Sequence, residues 1–215
     1  ERYDFFLQLF FGALVGGRLG FLVLYYPEML QSPWLILWPY DALGQWVGIG
    51  GMSFHGGLVG VIAVLLFQSR KMKDFFWQRA DDIALSAPIA LFFGRVGNFF
   101  NGELVGRVTM EPWGMYFAQG QGLRHPSTLY EAFGEGIFLF VFLFVMRRFV
   151  SFPGAVSALF LIAYGGIRFI LEYFREPEGG ILVFGTWTLG QTYSLVMIMV
   201  GAILFWWLRK KIVVQ

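Results

Sequence analysis

Ser194-Leu195-Val196-Met197-Ile198-Met199-Val200-Gly201-Ala202-Ile203-Leu204-Phe205-Trp206-Trp207-Leu208 carries no charge and ends at Arg209-Lys210-Lys211. It forms most of an apolar stretch, 187–208. A helix of about 20 such residues crosses a bilayer core. Five other stretches have the same character: 5–26, 51–69, 80–101, 129–149 and 154–173. The composition agrees. Of 215 residues, 57% are apolar and 14% are charged, where soluble domains carry about 25% charged residues. Disorder is excluded by 26 Phe, 8 Trp and 9 Tyr, because disordered chains are poor in aromatics. The surplus apolar surface must face lipid, where backbone groups have to be satisfied within the segment. The fold class is therefore all-α, a polytopic integral membrane bundle of about six helices. Residues 1–215 are read as one transmembrane domain.

Charge at the ends of these stretches and between them is segregated. One set of connecting segments holds Arg2, Arg70, Lys71, Lys73, Arg79, Arg147, Arg148, Arg209, Lys210 and Lys211. The alternate set holds only Arg107, Arg124 and Arg175. Lys and Arg collect on the cytoplasmic side. Both ends of the chain are thus expected inside, and segments 27–50, 102–128 and 174–186 outside. Segment 27–50 has no Lys or Arg but holds Trp34, Trp38, Tyr40 and Trp46. Aromatic residues of this kind favour the headgroup region. It is expected to lie there, broken by Pro33 and Pro39, with 102–128 as a second interfacial segment. Glycine numbers 28, which lets membrane helices approach closely. Cysteine is absent, so any thiol in the chemistry comes from a substrate.

Three arginines remain: Arg18, Arg95 and Arg168 fall inside spans, all toward the outer leaflet. Each costs about 2.5–3.5 kcal/mol at mid-membrane, and such residues normally mark function. Two readings stand. One is internal pairing: Glu172 follows Arg168 by four residues, and Glu103, Glu131 and Glu135 are also available. The other is an anion site, since the guanidinium fork fits phosphate oxygens. An anion arriving from the outer leaflet is most simply a phospholipid headgroup.

Two motifs surround these arginines. The first is Gly94-Arg95-Val96-Gly97-Asn98-Phe99-Phe100-Asn101-Gly102-Glu103-Leu104-Val105-Gly106-Arg107. On a helix, Arg95, Asn98 and Asn101 form one polar stripe, suited to a ligand or to interhelical hydrogen bonds. The second is Tyr164-Gly165-Gly166-Ile167-Arg168-Phe169-Ile170-Leu171-Glu172, where Tyr164, Arg168 and Glu172 share a face. Tyr164 also suits simple packing. His55 sits in Gly50-Gly51-Met52-Ser53-Phe54-His55-Gly56-Gly57-Leu58, at the outward mouth of the second span. His125 lies in Arg124-His125-Pro126-Ser127-Thr128-Leu129-Tyr130-Glu131 and reads as structural or positioning. Ser127 is a candidate N-cap for the fourth span. Asp81 and Asp82 open the third span and read as complements to its N-terminal dipole.

The Gly94–Arg107 stretch resembles the signature of the prolipoprotein diacylglyceryl transferase family. The Met52–Leu58 and Arg124–Glu131 blocks and the run from Tyr164 to Pro177 resemble the same family, in the same order. The resemblance extends from about Gly16 to Arg209. It implies a bacterial inner-membrane enzyme that moves the diacylglyceryl group of phosphatidylglycerol onto the lipobox cysteine of a preprolipoprotein signal peptide. The products are a thioether-linked lipid and glycerol phosphate. By motif match, Arg95, Asn98, Asn101, Glu103 and Gly106 fall on signature positions. His55, Tyr164 and Arg168 fall on positions the family treats as important, with Glu172 and Arg175 close behind. The family's first transmembrane helix, with its His-Trp-Tyr-type motif, is not among these 215 residues and either precedes them or is lost. The outward segment between Arg107 and Arg124 is short for the family.

Both lines of argument give one scheme. Phosphate sits between Arg95 and Arg168, with Arg18, Glu103, Gly106, Tyr164, Glu172 and Arg175 among the substrate-binding residues. Asn98 and Asn101 donate to glycerol or phosphate oxygens. A thiol attacks the glycerol carbon bearing phosphate, and fixed cationic donors favour the charge that grows on the leaving group. His55 is the candidate base. A thiol of pKa about 8.5 and an imidazole of about 6.5 differ by about 2.7 kcal/mol, a modest barrier that neighbouring Arg lowers. The expected partners are phosphatidylglycerol, the signal peptide and the bilayer, with no nucleic acid, cofactor or metal. Two rivals remain. An anion channel or transporter also uses intramembrane Arg, but no pair of corresponding half-helices is present. An intramembrane protease using Ser53 or Ser86 with His55 lacks a Gly-x-Ser-x-Gly elbow.

Overall fold

The computed structural model describes residues 2–25, 51–70, 75–118, 120–177, 182–183 and 187–213. The interfacial reading of segment 27–50 lies outside the described residues. The chain is mostly helical, and two compact units divide it at Phe76.

The first unit pairs α1 (Arg2–Tyr25) with α2 (Phe54–Ser69). Their contact is set by glycine. Gly12, Gly16 and Gly20 repeat every fourth residue on α1, and Gly56 and Gly60 do so on α2. A Cβ on Gly16 would strike the Gly56 carbonyl oxygen, and one on Gly60 the Gly12 carbonyl oxygen. The two backbones touch, as small residues at four-residue spacing allow in lipid. Ser53 caps α2, its hydroxyl accepting the Gly56 N–H at 3.3 Å. Its backbone N–H donates to the Gly17 carbonyl at 2.9 Å.

The second unit contains α3 (Phe75–Phe100), whose C-terminal part from Trp77 belongs here. A continuous span follows: α4 (Ser127–Glu131), a π-helical segment (Ala132–Phe138) and α5 (Leu139–Met146). Then come α6 (Ala155–Leu171), a short antiparallel pair β1 (Leu182–Val183) and β2 (Trp187–Thr188), and α7 (Leu189–Val213). Ala84 of α3, Leu139 and Leu143 of α5 and Val156 of α6 form a buried core, flanked by Phe160, Ala163, Tyr164 and Ile167. Among the described residues, four helices are long and apolar enough to cross a membrane: Asp4–Leu24, Phe76–Phe100, Ser127–Met146 and Leu189–Lys211. His55–Ser69 and Ala155–Leu171 are apolar but shorter.

Two local expectations change. Asp81 does not serve its own helix, which begins a turn and a half earlier. Its carboxylate accepts the Gly154 and Ser157 N–H groups and the Ser157 hydroxyl, each at 2.7 Å, and so closes the N-terminus of α6. Asp82 pairs instead with Arg79 at 3.0 Å. Ser127 is the first residue of α4 rather than its cap, a position taken by Pro126. The Ser127 hydroxyl donates to the Leu104 carbonyl at 3.1 Å.

Candidate functional site

The second unit gathers three arginines and three glutamates at one end of its helices. Glu131 and Glu135, four residues apart on the fourth span, have no exposed surface. Glu131 forms ion pairs through one oxygen with Arg95 Nε at 3.0 Å and through the other with Arg168 Nη1 at 2.9 Å, while the Arg95 Nε–H donates to Glu135 Oε2 at 3.2 Å. Glu135 repeats the arrangement, with Arg95 Nη2 at 3.1 Å and Arg168 Nη1 at 3.4 Å. Arg168 also reaches Glu172 at 2.7 Å, the pairing along one helix face that the sequence offered. Arg175 Nη1 donates to the Arg168-facing oxygen of Glu131 at 3.3 Å. The six side chains balance in charge, so their mutual attraction offsets the desolvation cost of burying them.

The signature residues around this cluster divide. The Asn98 amide donates to Glu103 Oε2 at 2.9 Å. Both lie where α3 ends and turns. The Glu103 N–H returns to the Asn98 carbonyl at 2.9 Å, and Gly102 and Leu104 take positive φ of 66° and 54°. Leu104 is a bulky residue in a region that costs such residues energy, and strain of this kind clusters at functional sites. Asn101 lies just past the end of α3 and is exposed.

Gly106 is where two chain segments close over the cluster. It bridges Arg175, and its N–H donates to the His125 carbonyl at 3.2 Å. A Cβ here would lie 2.7 Å from the Phe174 carbonyl oxygen and closer still to that of His125. Only glycine admits this approach. Arg124 Nη1 donates to the Gly106 carbonyl at 2.9 Å and pairs with Glu176 at 3.0 Å. Arg107 Nε donates to the Arg175 carbonyl at 2.9 Å. These bonds fix the backbone of Arg175, whose side chain then meets Glu131. His125 packs its ring on Tyr130 and Phe174.

On α6, Tyr164 stacks on Phe160, with ring centroids 5.5 Å apart. Glu172 is buried and accepts the Thr188 hydroxyl at 3.0 Å. Thr188 in turn exchanges bonds with Gln191 in the first turn of α7. In the first unit, Arg18 is buried and donates to the Gly51 carbonyl at 3.2 Å. His55 is exposed in the first turn of α2, behind the Ser53 cap.

The sequence reading named Glu131 and Glu135 only as available partners, yet each touches both arginines. The signal was present. Two carboxylates four residues apart inside an apolar span are as costly as the arginines, and the same rule marks them. The π-helical segment that follows Glu131 and contains Glu135 is a second signal, since such turns are frequent at functional sites.

Fold and cluster together define a helical membrane protein that buries a charge-balanced arginine–glutamate site at one end of its spans. Comparison with known proteins gives the family. The family model described as prolipoprotein diacylglyceryl transferase matches residues 1–207. The chain is similar to the phosphatidylglycerol–prolipoprotein diacylglyceryl transferase of Photobacterium profundum, 46% identical over 213 residues, covering 96% of this chain and 76% of that one. It is 44% identical to the protein of the same name from Wolinella succinogenes, with 97% and 77% covered. The one from Chlorobaculum tepidum is 43% identical, with 93% and 72% covered. The chain belongs to the prolipoprotein diacylglyceryl transferase family.

Proposed function

We propose that this chain transfers the diacylglyceryl group of phosphatidylglycerol to the lipobox cysteine of a preprolipoprotein signal peptide. The observation that carries this reading is the family match over residues 1–207, which includes every residue of the arginine–glutamate cluster. In the reaction a C–S bond forms at the glycerol carbon bearing phosphate and the C–O bond to phosphate breaks. Glycerol phosphate leaves with the electron pair, and the thiol proton passes to a base. Phosphate charge rises as that bond breaks. Fixed guanidinium donors in a dry site stabilise this change without reorganising.

Arg95 and Arg168 take the phosphate, with Arg175 and Arg18 as further cationic contributors. Asn98, Asn101, Glu103 and Tyr164 order the polar surround, Gly106 and Glu172 hold its framework, and His55 is the thiol base. With Glu131, Glu135 and Glu172 beside Arg95, Arg168 and Arg175, the cluster is neutral. A phosphodiester therefore adds one negative charge that the arginines must share.

The chain functions as one transmembrane catalytic domain of six spans in the bacterial inner membrane. Both ends of the chain face the cytoplasm, and segments 27–50, 102–128 and 174–186 face outward. The site then opens to the outer leaflet, where the lipid headgroup lies.

The test is direct. The purified protein is incubated with phosphatidylglycerol and a lipobox peptide, and the peptide is weighed. A diacylglyceryl mass gain on the cysteine is expected. Peptide cleavage overturns the reading in favour of a protease; no change at all overturns it and leaves a transporter open.

A further inference from the structure

We propose that Glu131 and Glu135 are positioning residues for the transfer, cross-bracing Arg95 and Arg168 at the separation the phosphate requires; this rests on the phosphate reading of those arginines. Stability alone can be served by a pairing along one helix face, as between Arg168 and Glu172 at 2.7 Å. Glu131 and Glu135 do something different. Each divides its two oxygens between an arginine of α3 and an arginine of α6, giving four contacts of 2.9–3.4 Å. Two guanidiniums of like charge on separate helices do not converge unaided, and their long arms have many rotamers to lose. Two carboxylates stacked between them supply the attraction and fix both heads at once.

The backbone is built to bring the carboxylates there. Glu131 ends α4, and Glu135 lies in the π-helical segment that follows. Gly136 meets the Phe92 side chain of α3 so closely that a Cβ would lie 2.6 Å from the Phe92 Cβ. The fourth span therefore presses directly on the helix that carries Arg95. Arg175 adds a third contact to Glu131 at 3.3 Å and leaves it no exposed surface. Glutamine at either site keeps the size but replaces one oxygen with an NH₂ donor. Whichever way the amide turns, one guanidinium loses its contact with that residue and is held by the other glutamate alone from that span.

The experiment is a double-mutant cycle in nanodiscs, with turnover, KM for phosphatidylglycerol and thermal unfolding measured on each protein. The variants are Arg95→Lys, Glu131→Gln, Glu135→Gln and the combination of Arg95→Lys with each Gln change. Misplacement of a catalytic group by about 1 Å costs roughly 10²-fold in rate. Each Gln variant is expected to lose turnover on that scale while KM for the lipid changes far less. In the Arg95→Lys background the same Gln change should cost much less, because the group it aligned is already gone. Multiplicative losses in the double variants overturn the proposal. So does a loss accounted for wholly by a smaller folded fraction, in either Gln variant. Normal turnover in the Gln variants with poor turnover in Arg95→Lys removes the bracing role and leaves the phosphate reading intact. Near-normal turnover in Arg95→Lys removes both.

Discussion

The Asp81 carboxylate on α3 accepts the Ser157 backbone N–H on α6 at 2.7 Å. One helix thus supplies the N-terminal cap of another, 76 residues away in sequence. Loss of a side-chain cap costs about 0.5–2 kcal/mol. Asp81→Ala should lower the unfolding midpoint in detergent by a corresponding amount while activity per folded molecule persists. Asp81→Asn should lose less, since its amide oxygen can still accept both Ser157 bonds. An unchanged midpoint for Asp81→Ala would mean that the cap adds nothing.

Gly60 should not tolerate even a methyl group. Its added Cβ meets the Gly12 carbonyl oxygen, which is backbone and has nowhere to go. Overpacking costs about 1–3 kcal/mol. At Gly94 a Cβ meets nothing within 4 Å among the described residues. Thermal unfolding should separate Gly60→Ala, destabilised, from Gly94→Ala, nearly unchanged. Equal midpoints would contradict the close contact of α1 and α2.

The chain has no cysteine, so single cysteines report topology without background. Cysteine at Ser69 or Ser151 should be shielded from an impermeant thiol reagent applied outside spheroplasts. Cysteine at Gln121 should react. The opposite pattern would invert the proposed orientation and move the site to the inner leaflet.

How far the residues announced this arrangement depends on distance along the chain. The helices were legible because lipid selects long apolar runs, and 187–208 with its terminal Arg209-Lys210-Lys211 needed no tertiary information. The Arg168–Glu172 pair was legible for the same reason, as both sit on one face at i, i+4. The Arg95–Glu135 contact joins residues 40 apart, and no periodicity carries that. Asp81 was read as serving its own helix because a carboxylate near a span's start usually does. The actual start, Phe75, lay further back. Gly106 stood out only as a motif position; the reason for glycine there is the pair of carbonyls from His125 and Phe174, which arrive from later segments.

His55 should act on the thiol rather than the lipid. His55→Gln keeps a polar group and removes the base, and a general base contributes about 10²–10⁴-fold. Turnover should fall while KM for phosphatidylglycerol stays close to that of the parent. The deficit should shrink as pH rises toward the thiol's own pKa of about 8.5, because thiolate then forms without help. Full activity at neutral pH would assign the proton to another group.

Arg95 and Arg168 carry the central claim, that a guanidinium pair aligns the phosphate as glycerol phosphate departs. Lysine retains the charge and can still pair with Glu131 or Glu172. It offers one point of contact where arginine offers a rigid fork. The decisive measurement is steady-state transfer to a lipobox peptide by Arg95→Lys and Arg168→Lys, resolved into kcat and KM for phosphatidylglycerol. Each variant should lose roughly 10²-fold in kcat, the scale of a misaligned reacting group, with a much smaller rise in KM. Near-normal kcat in both would show that these arginines serve only as ion-pair partners of the buried glutamates, and would contradict the account.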